Sequence, residues 1–323
     1  MQYLKYIKVI IFLITLIIPD YLSAQFKVVG YIRLENNIVA NFKTVDLKQI
    51  THLNIAFINP DTIGKFKEIP ALDTIIKLAH KGNVKVLLSC GGGSRHIYYA
   101  KLLASPKREE VVSSFIDFVD RYNFDGIDVD IEGDDIDENY ENFVVALRKP
   151  LTKRNKLLTA ALAFHTRKKI SDTALQSFDF VNLMAYDKTG PWRPSNPGQH
   201  SPMSYALDHL NYWKNERGIS KQKLIIGVPF YGYGFGSLPT SDTTFQSMNY
   251  NDIVLKFPGA ENTDEINFPN DGGTLFYNGK NTIKEKTELA LKQCGGVMIW
   301  QLMGDTKDEK SLLSVINNTI SKK

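Results

Sequence analysis

The 323-residue sequence contains few cysteines, and its positive and negative charges nearly balance. It contains two cysteines, Cys90 and Cys294, so disulfide bonds are not what stabilises the fold. The formal net charge is +4 and dispersed, too small to indicate nucleic acid or an acidic membrane surface as a partner. A Pro/Ser/Thr-rich linker, a solenoid repeat and a low-complexity block are also missing from the sequence. These absences favour a single globular domain.

The first 24 residues have the pattern of a secretory signal peptide. Lys5 and Lys8 form a basic segment, residues 9–18 form an apolar core, and small residues follow at a cleavage site. The core is shorter than the about 20 residues that a membrane-spanning helix needs. The sequence therefore predicts export of residues 25–323 without membrane attachment after cleavage, to the periplasm or the exterior, with uncleaved anchoring as the alternative.

Eight short apolar segments alternate with amphipathic stretches along the exported chain. This alternation is typical of parallel strands joined by helices. An eight-fold barrel of such units takes about 250 residues as one domain, so residues 25–323 are predicted to form a (β/α)8 TIM barrel. The active site of that fold lies at the carboxyl ends of the strands. The predicted strands are 27–32, 52–58, 84–90, 126–131, 157–163, 180–186, 223–229 and 296–301.

The fourth strand carries an unusual acidic face. Its β-branched residues alternate with Asp128 and Asp130 at strand period, and Glu132 continues the same face. Successive carboxylates then lie about 6.6 Å apart along the chain. Burying such a row requires shared protons or hydrogen bonds, which predicts at least one raised carboxyl pKa. A raised pKa is what an acid catalyst needs near neutral pH.

The acidic pattern Asp-x-x-Asp-x-Asp-x-Glu, residues 125–132, resembles the signature of the family 18 glycoside hydrolases, the chitinases and their relatives. The resemblance implies a retaining glycosidase that hydrolyses β-1,4 linkages of N-acetylglucosamine polymers, with no cofactor and no obligate protein partner. Two alternatives stay open: an endo-β-N-acetylglucosaminidase acting on the chitobiose core of N-glycans, and a non-catalytic chitin-oligosaccharide-binding protein. Such non-catalytic relatives typically lack the last acid, present here as Glu132. A divalent metal site on the acids is a further, less favoured interpretation.

The resemblance also implies roles for the acidic residues. Glu132 would protonate the glycosidic oxygen while the N-acetyl oxygen of the substrate attacks C1, giving an oxazolinium ion. Asp130 would orient the acetamido N–H and share a proton with Asp128. Tyr186 would hold the acetamido group through a hydrogen bond to its oxygen.

The ends of the first three predicted strands fit the same family. Tyr31 and Ser89 are implied to hold the innermost aspartate of the acidic strand. Gly91 and Gly92 allow the backbone to approach the acids closely. This glycine run lacks the Lys-Ser/Thr of a phosphate-binding loop and the spacing of a dinucleotide-binding loop. Phe57 is either barrel packing or a ligand contact.

Three further segments supply candidate sugar contacts. The end of the sixth strand resembles the family's Met-x-Tyr-Asp motif, which implies that Met184 packs beneath the sugar and that Asp187 contacts it. Trp192 would stack on a sugar at a leaving-side subsite. Trp300 would form the floor of the subsite that holds the sugar to be cleaved.

Two features depart from the family pattern. Tyr233 replaces a frequent arginine, and Gln301 replaces a frequent acidic residue. Only about 45 residues separate Tyr231 from Tyr277, too few for a large α+β insertion. The sequence therefore predicts a barrel without that insertion and with a shallow, open cleft.

An acidic run follows the fourth strand. Its composition is typical of the solvated start of a helix, where the macrodipole favours negative charge, and its spacing is unlike a calcium-binding loop. The run consists of Asp134, Asp135, Asp137, Glu138 and Glu141.

Overall fold

The structure is a computed structural model that describes residues 25–236, 246–268 and 272–322. The predicted signal peptide, residues 1–24, lies outside the described residues. The strands are β1 (Lys27–Arg33), β2 (His52–Ala56), β3 (Lys85–Gly92), β4 (Gly126–Ile131), β5 (Leu157–Leu162), β6 (Phe180–Leu183), β7 (Leu224–Pro229), β8 (Tyr231–Phe235), β9 (Ser247–Asn249), β10 (Glu265–Phe268), β11 (Gly273–Phe276) and β12 (Gly296–Trp300). The helices are α1 (Ile38–Phe42), α2 (Ala71–Lys81), α3 (Tyr99–Leu102), α4 (Lys107–Arg121), α5 (Tyr140–Lys153), α6 (Asp172–Ser177), α7 (Met203–Leu210), α8 (Tyr250–Lys256), α9 (Lys280–Gln293) and α10 (Leu312–Ser321).

Eight strands close into a barrel in the order β1, β12, β7, β6, β5, β4, β3, β2. The paired strands run parallel, and β1 pairs with both β2 and β12, which closes the ring. The predicted (β/α)8 TIM barrel is confirmed. Because the strands are parallel, their carboxyl ends meet at one rim of the barrel, where the candidate residues converge.

The acidic strand shows how side-chain alternation positions the site. In β4, Ile127, Val129 and Ile131 face outward into the apolar layer between the barrel and its helices. Asp128 and Asp130 occupy the alternate positions and face the interior. The strand period therefore directs the apolar side chains to the helices and the carboxylates to the barrel axis.

The segment between β7 and β12 forms a small second sheet. Strands β10, β11, β8 and β9 pair antiparallel in that order, and α8 follows β9. The predicted absence of a large insertion is confirmed, although the four strands of this sheet were not predicted from the sequence. None of the helices in the described ranges is long and apolar enough to cross a membrane.

One predicted strand end is wrong in a way that matters for the site. β6 ends at Leu183 and not at residue 186. The Ala185 N–H turns back to donate to the Leu183 carbonyl at 2.7 Å, and Asp187 adopts a left-handed conformation with φ of 59°. Tyr186 therefore lies on a turn beyond the strand and not on the strand itself.

Candidate active site

Asp128 is the innermost acid and is saturated with hydrogen bonds. Its carboxylate is fully buried and accepts from Tyr31 Oη at 2.6 Å, Ser89 Oγ at 2.8 Å, Thr159 Oγ1 at 2.6 Å and Asn182 Nδ2 at 3.2 Å. Burial raises the pKa of Asp128, while the four donors act in the opposite direction. The structure thus supplies both donors that the family resemblance implies, together with two more.

Asp130 lies one strand period further out and is far less satisfied. It is buried, and its Oδ1 has no hydrogen-bond partner among the residues described. Burial raises the pKa of Asp130 well above its ordinary value, and the charges of Glu132 and Asp128 raise it further. This carboxyl therefore favours its protonated form and leaves an acceptor free for a ligand.

Glu132 directly follows the carboxyl end of β4 and is partly exposed. Burial, with a contribution from the charge of Asp187, raises the pKa of Glu132 to about 7. A Cβ added to Gly93 would lie 3.5 Å from Glu132 Oε1, so the loop after β3 runs beside this carboxyl. Glu132 can therefore both carry and release a proton near neutral pH at a position that a ligand can reach.

Tyr186 and Met184 lie in the apolar cluster inside the barrel. The Tyr186 hydroxyl is buried and is 3.7 Å from Met298 Sδ. Burial, then the charge of Asp130, raises the pKa of Tyr186 well above its ordinary value. The hydroxyl therefore keeps its proton and remains a hydrogen-bond donor beside the acids.

Trp300 and Phe57 form an aromatic pair next to the acidic strand. Their rings are 5.5 Å apart and nearly parallel, at 21°. The ring centroid of Tyr31 lies 5.6 Å from that of Trp300, and the two ring planes are tilted by 56°. Phe57 thus packs against Trp300, which is partly exposed and available to a ligand.

Gly91 and Gly92 have close-packing roles. A Cβ at Gly91 would lie 2.2 Å from the Asp130 carbonyl oxygen, and one at Gly92 would lie 2.6 Å from the Phe57 ring. Both glycines also have φ near +100°. Only glycine fits such a conformation at this distance.

Asp187 and Trp192 lie on the loop after β6. Asp187 is exposed, accepts a hydrogen bond from the Tyr231 hydroxyl, and lies 3.5 Å from His200 Nδ1. Trp192 is 55% exposed, and its ring contacts Tyr233 edge-on at 5.3 Å. Tyr233, the residue that departs from the family pattern, therefore supports the exposed tryptophan.

The sequence reasoning missed two donors to Asp128. Thr159 and Asn182 lie on strands whose other residues are mostly apolar, and both are completely buried. A polar residue at an inward-facing position of an apolar strand is the signal that could have identified them.

Asp135 contradicts the prediction of a solvated acidic run. It is buried and accepts a hydrogen bond from the His96 backbone N–H at 2.5 Å. Asn59 bonds to both backbone groups of Gly91, at 2.7 and 3.0 Å. Asn59 thereby fixes the end of β3, Asp135 fixes the loop that follows it beside the acidic strand, and α5 begins only at Tyr140.

Within the described ranges, no three His, Cys, Asp or Glu side chains come together as a metal site. The site instead combines a buried carboxyl with four donors, a second buried carboxyl with a raised pKa, a titrating glutamate and an aromatic ring pair. Such a set can donate a proton to a bound molecule and take it back. Its aromatic rings can stack on an apolar face of that molecule.

Known proteins are similar to this chain in sequence and fold. Residues 27–305 match the model of glycosyl hydrolases family 18. The GH18 chitinase ChiB from the chitin utilization locus of Flavobacterium johnsoniae is 36% identical, with a TM-score of 0.84 over 93% of this chain and 95% of that one. Chitinase-3-like protein 2 of Homo sapiens is 31% identical over 299 residues, 76% of this chain and 75% of that protein.

Class V chitinase CHIT5a of Medicago truncatula is 29% identical over 321 residues, covering 82% of each chain. The matched region includes the whole barrel, from the start of β1 to just beyond β12. On these similarities, and with the acidic strand in place, the chain belongs to family 18 of the glycosyl hydrolases.

Proposed function

We propose that this protein is a chitinase that hydrolyses β-1,4 linkages between N-acetylglucosamine units with retention. The observation that carries the proposal is Glu132, a reachable carboxyl with its pKa raised to about 7, next to a buried aspartate with a free acceptor. The similarity to chitinases supports the same substrate class. Trp300 offers an apolar ring face on which the sugar to be cleaved can rest.

In the first step, Glu132 donates its proton to the glycosidic oxygen. The acetamido oxygen of the substrate attacks C1, the bond to the leaving sugar breaks, and an oxazolinium ion forms. The acetamido N–H donates to the unpartnered Oδ1 of Asp130. The four hydrogen bonds that Asp128 accepts leave it no free acceptor for the proton of Asp130, so Asp130 acts on the acetamido group alone, and Tyr186 donates to the acetamido oxygen to orient it.

In the second step, Glu132 acts as a base. It takes a proton from water, the oxygen of this water bonds to C1, and the oxazolinium ring opens to restore the acetamido group. Two inversions at C1 give net retention. The substrate thus provides the nucleophile that other retaining glycosidases provide as a second carboxylate.

Product analysis tests this proposal. Chitohexaose and a high-mannose glycoprotein are incubated in parallel with the wild-type protein and with Glu132→Gln, and the products are measured by mass spectrometry. Shorter chitin oligomers from the wild type alone would support a chitinase. Loss of glycan mass with intact oligomers would indicate the endo-β-N-acetylglucosaminidase instead, and binding without turnover would indicate a binding protein.

We also propose that the protein is exported. The basic and apolar pattern of residues 1–24 supports this, and an insoluble polymer such as chitin must be degraded outside the cell membrane. Sequencing the amino terminus of the protein recovered outside the cytoplasm is expected to begin at Gln25. An intact leader on the recovered protein would contradict the proposal.

A further inference from the structure

Helix α9 carries a fully buried lysine away from the acidic strand. Lys286 Nζ lies 2.6 Å from the Ser201 carbonyl oxygen, 2.7 Å from Ser201 Oγ and 2.7 Å from Asn278 Oδ1. Its side chain is 0% exposed and has no carboxylate at ion-pair distance in the part of the chain that the structure describes. Burial lowers the pKa of Lys286 to about 7, while the charge of Asp264 acts in the opposite direction, so these three contacts must compensate for most of the lost hydration.

The three oxygens require a specific donor. The Ser201 carbonyl and Asn278 Oδ1 only accept, and Ser201 Oγ uses its own hydrogen to donate to the Ala185 carbonyl at 2.7 Å. An ammonium has three N–H bonds and satisfies all three acceptors, whereas a neutral amine has two. The three acceptors therefore favour the charged form of Lys286 against its burial, and the side chain links several segments.

Two of these segments are the ends of the loop formed by residues 187–200, and the third contains Asn278, just after β11. Ala185 immediately precedes Tyr186, and Ser201 immediately follows the loop. The Lys188 N–H donates to the His200 carbonyl at 2.9 Å, which also joins the two ends. Lys286 thus fixes the base of the loop through its hydrogen bonds to Ser201.

The loop carries Trp192, which is predicted to stack on a sugar at a leaving-side subsite, and Asp187, which is predicted to contact the sugar above Met184. Asp187 lies at its first position, and Trp192 lies at its exposed middle with its ring against Tyr233. His200, at the last position, is fully buried and contacts the Tyr231 and Tyr233 rings at 5.0 and 4.9 Å. Displacing Ser201 would move His200 and thereby the support of both binding residues.

We propose that Lys286 is a positioning residue for the leaving-side subsite, because it fixes the base of the 187–200 loop that presents Trp192. This inference rests on the proposed function, since the subsite has a ligand only if the protein binds chitin oligomers. Lys286 contacts no substrate itself. It acts through Ser201 on the placement of the loop.

The neighbouring Thr287 provides a matched control. It is also fully buried on α9, and its hydroxyl donates only within the helix, to the Ile283 carbonyl at 2.8 Å. Thr287→Val therefore removes a buried hydrogen bond from the same helix without touching the loop. Lys286→Met removes the three donors and keeps most of the side-chain volume.

Both variants are assayed on two substrates. Chitohexaose can place sugars on the leaving side, whereas 4-methylumbelliferyl chitobioside places only its aglycone there. We expect Lys286→Met to raise KM for chitohexaose about fivefold to tenfold and KM for the fluorogenic substrate less than about twofold, because misplaced binding groups weaken positioning. Thr287→Val should change neither KM. A folded Lys286→Met protein with both KM values unchanged, or with an equal loss on both substrates, would overturn the proposal.

Two further measurements keep the test decisive. If Lys286→Met does not fold, Ser201→Ala is used, with an expected rise of about twofold to threefold in the chitohexaose KM alone; an unchanged value overturns the proposal. If the wild type cleaves neither substrate, the proposed hydrolysis fails, and the chitohexaose dissociation constants of wild type and Lys286→Met decide instead. An equal dissociation constant for the two proteins would then overturn the role of Lys286.

Discussion

The two ends of the acidic strand β4 differ in how their carboxyl groups are satisfied. Asp128, at the inner end, accepts four hydrogen bonds and is completely buried. Asp130 and Glu132, toward the outer end, lack comparable donors, and burial raises the pKa of each. Burial raises the pKa of Asp128 as well, but its four donors oppose that shift, whereas Asp130 and Glu132 have no comparable donors and can exchange protons. The same functional group, a carboxyl, therefore serves stability at one position and proton transfer at the other.

The largest expected effect is on kcat and comes from replacing Glu132, the carboxyl that is proposed to donate the proton. Glu132→Gln should lower kcat on chitohexaose by about 10²- to 10⁴-fold, because an amide cannot act as the general acid. Its structure and unfolding midpoint should stay close to those of the wild type, since Glu132 is partly exposed. Steady-state kinetics and urea unfolding measure both.

The matched control for this variant is Glu138→Gln, which removes an exposed carboxylate of the acidic run that follows β4. It should leave kcat unchanged. If Glu132→Gln kept most of its activity, or if Glu138→Gln lost as much, the assignment of the acid would be wrong.

The pH dependence of the wild type gives a second, smaller effect. Burial raises the pKa of Glu132 to about 7, and the general acid must be protonated in the free enzyme. Activity is therefore present below this pKa, and kcat/KM should fall about tenfold per pH unit above it. A profile measured from pH 5 to pH 9 on the fluorogenic substrate checks this. A plateau that extends to pH 9 would contradict the raised pKa.

Removing a donor to Asp128, at the inner end of β4, should lower the stability of the fold. Tyr31→Phe removes a donor from a buried carboxylate, and we expect it to lower the free energy of unfolding by about 1.5–3 kcal/mol. Tyr140→Phe is the matched control, because the Tyr140 hydroxyl is buried without a hydrogen-bond partner among the described residues. That variant should change the free energy of unfolding by less than about 0.5 kcal/mol. Equal losses for the two variants in urea unfolding would remove the distinction between the ends.

The local pattern was enough to predict the barrel and the acidic face. Strand period places Asp128, Asp130 and Glu132 on one side of β4, and eight alternating units require a closed parallel sheet. The sixth strand shows the limit of this reasoning. Its apolar pattern continues to residue 186, but a turn at Ala185 ends the strand at Leu183, and nothing in the local pattern marks that turn.

Contacts between distant segments could not be predicted. Lys286 lies on a helix rich in lysine, where a charged side chain normally faces water, and its partner Ser201 is 85 residues away. Asp135 likewise belongs to an acidic run whose other members gave no sign of burial. Such residues become recognisable only when the packed chain brings a charge and its acceptors together.

Gly91 limits which positions of this protein can be redesigned. A side chain there would collide with the Asp130 carbonyl 2.2 Å away, and φ of +100° disfavours every other residue as well. A directed-evolution library that varies this position would return glycine in its functional members. New specificity would have to be selected from elsewhere on the rim, where backbone and side chains have room to vary.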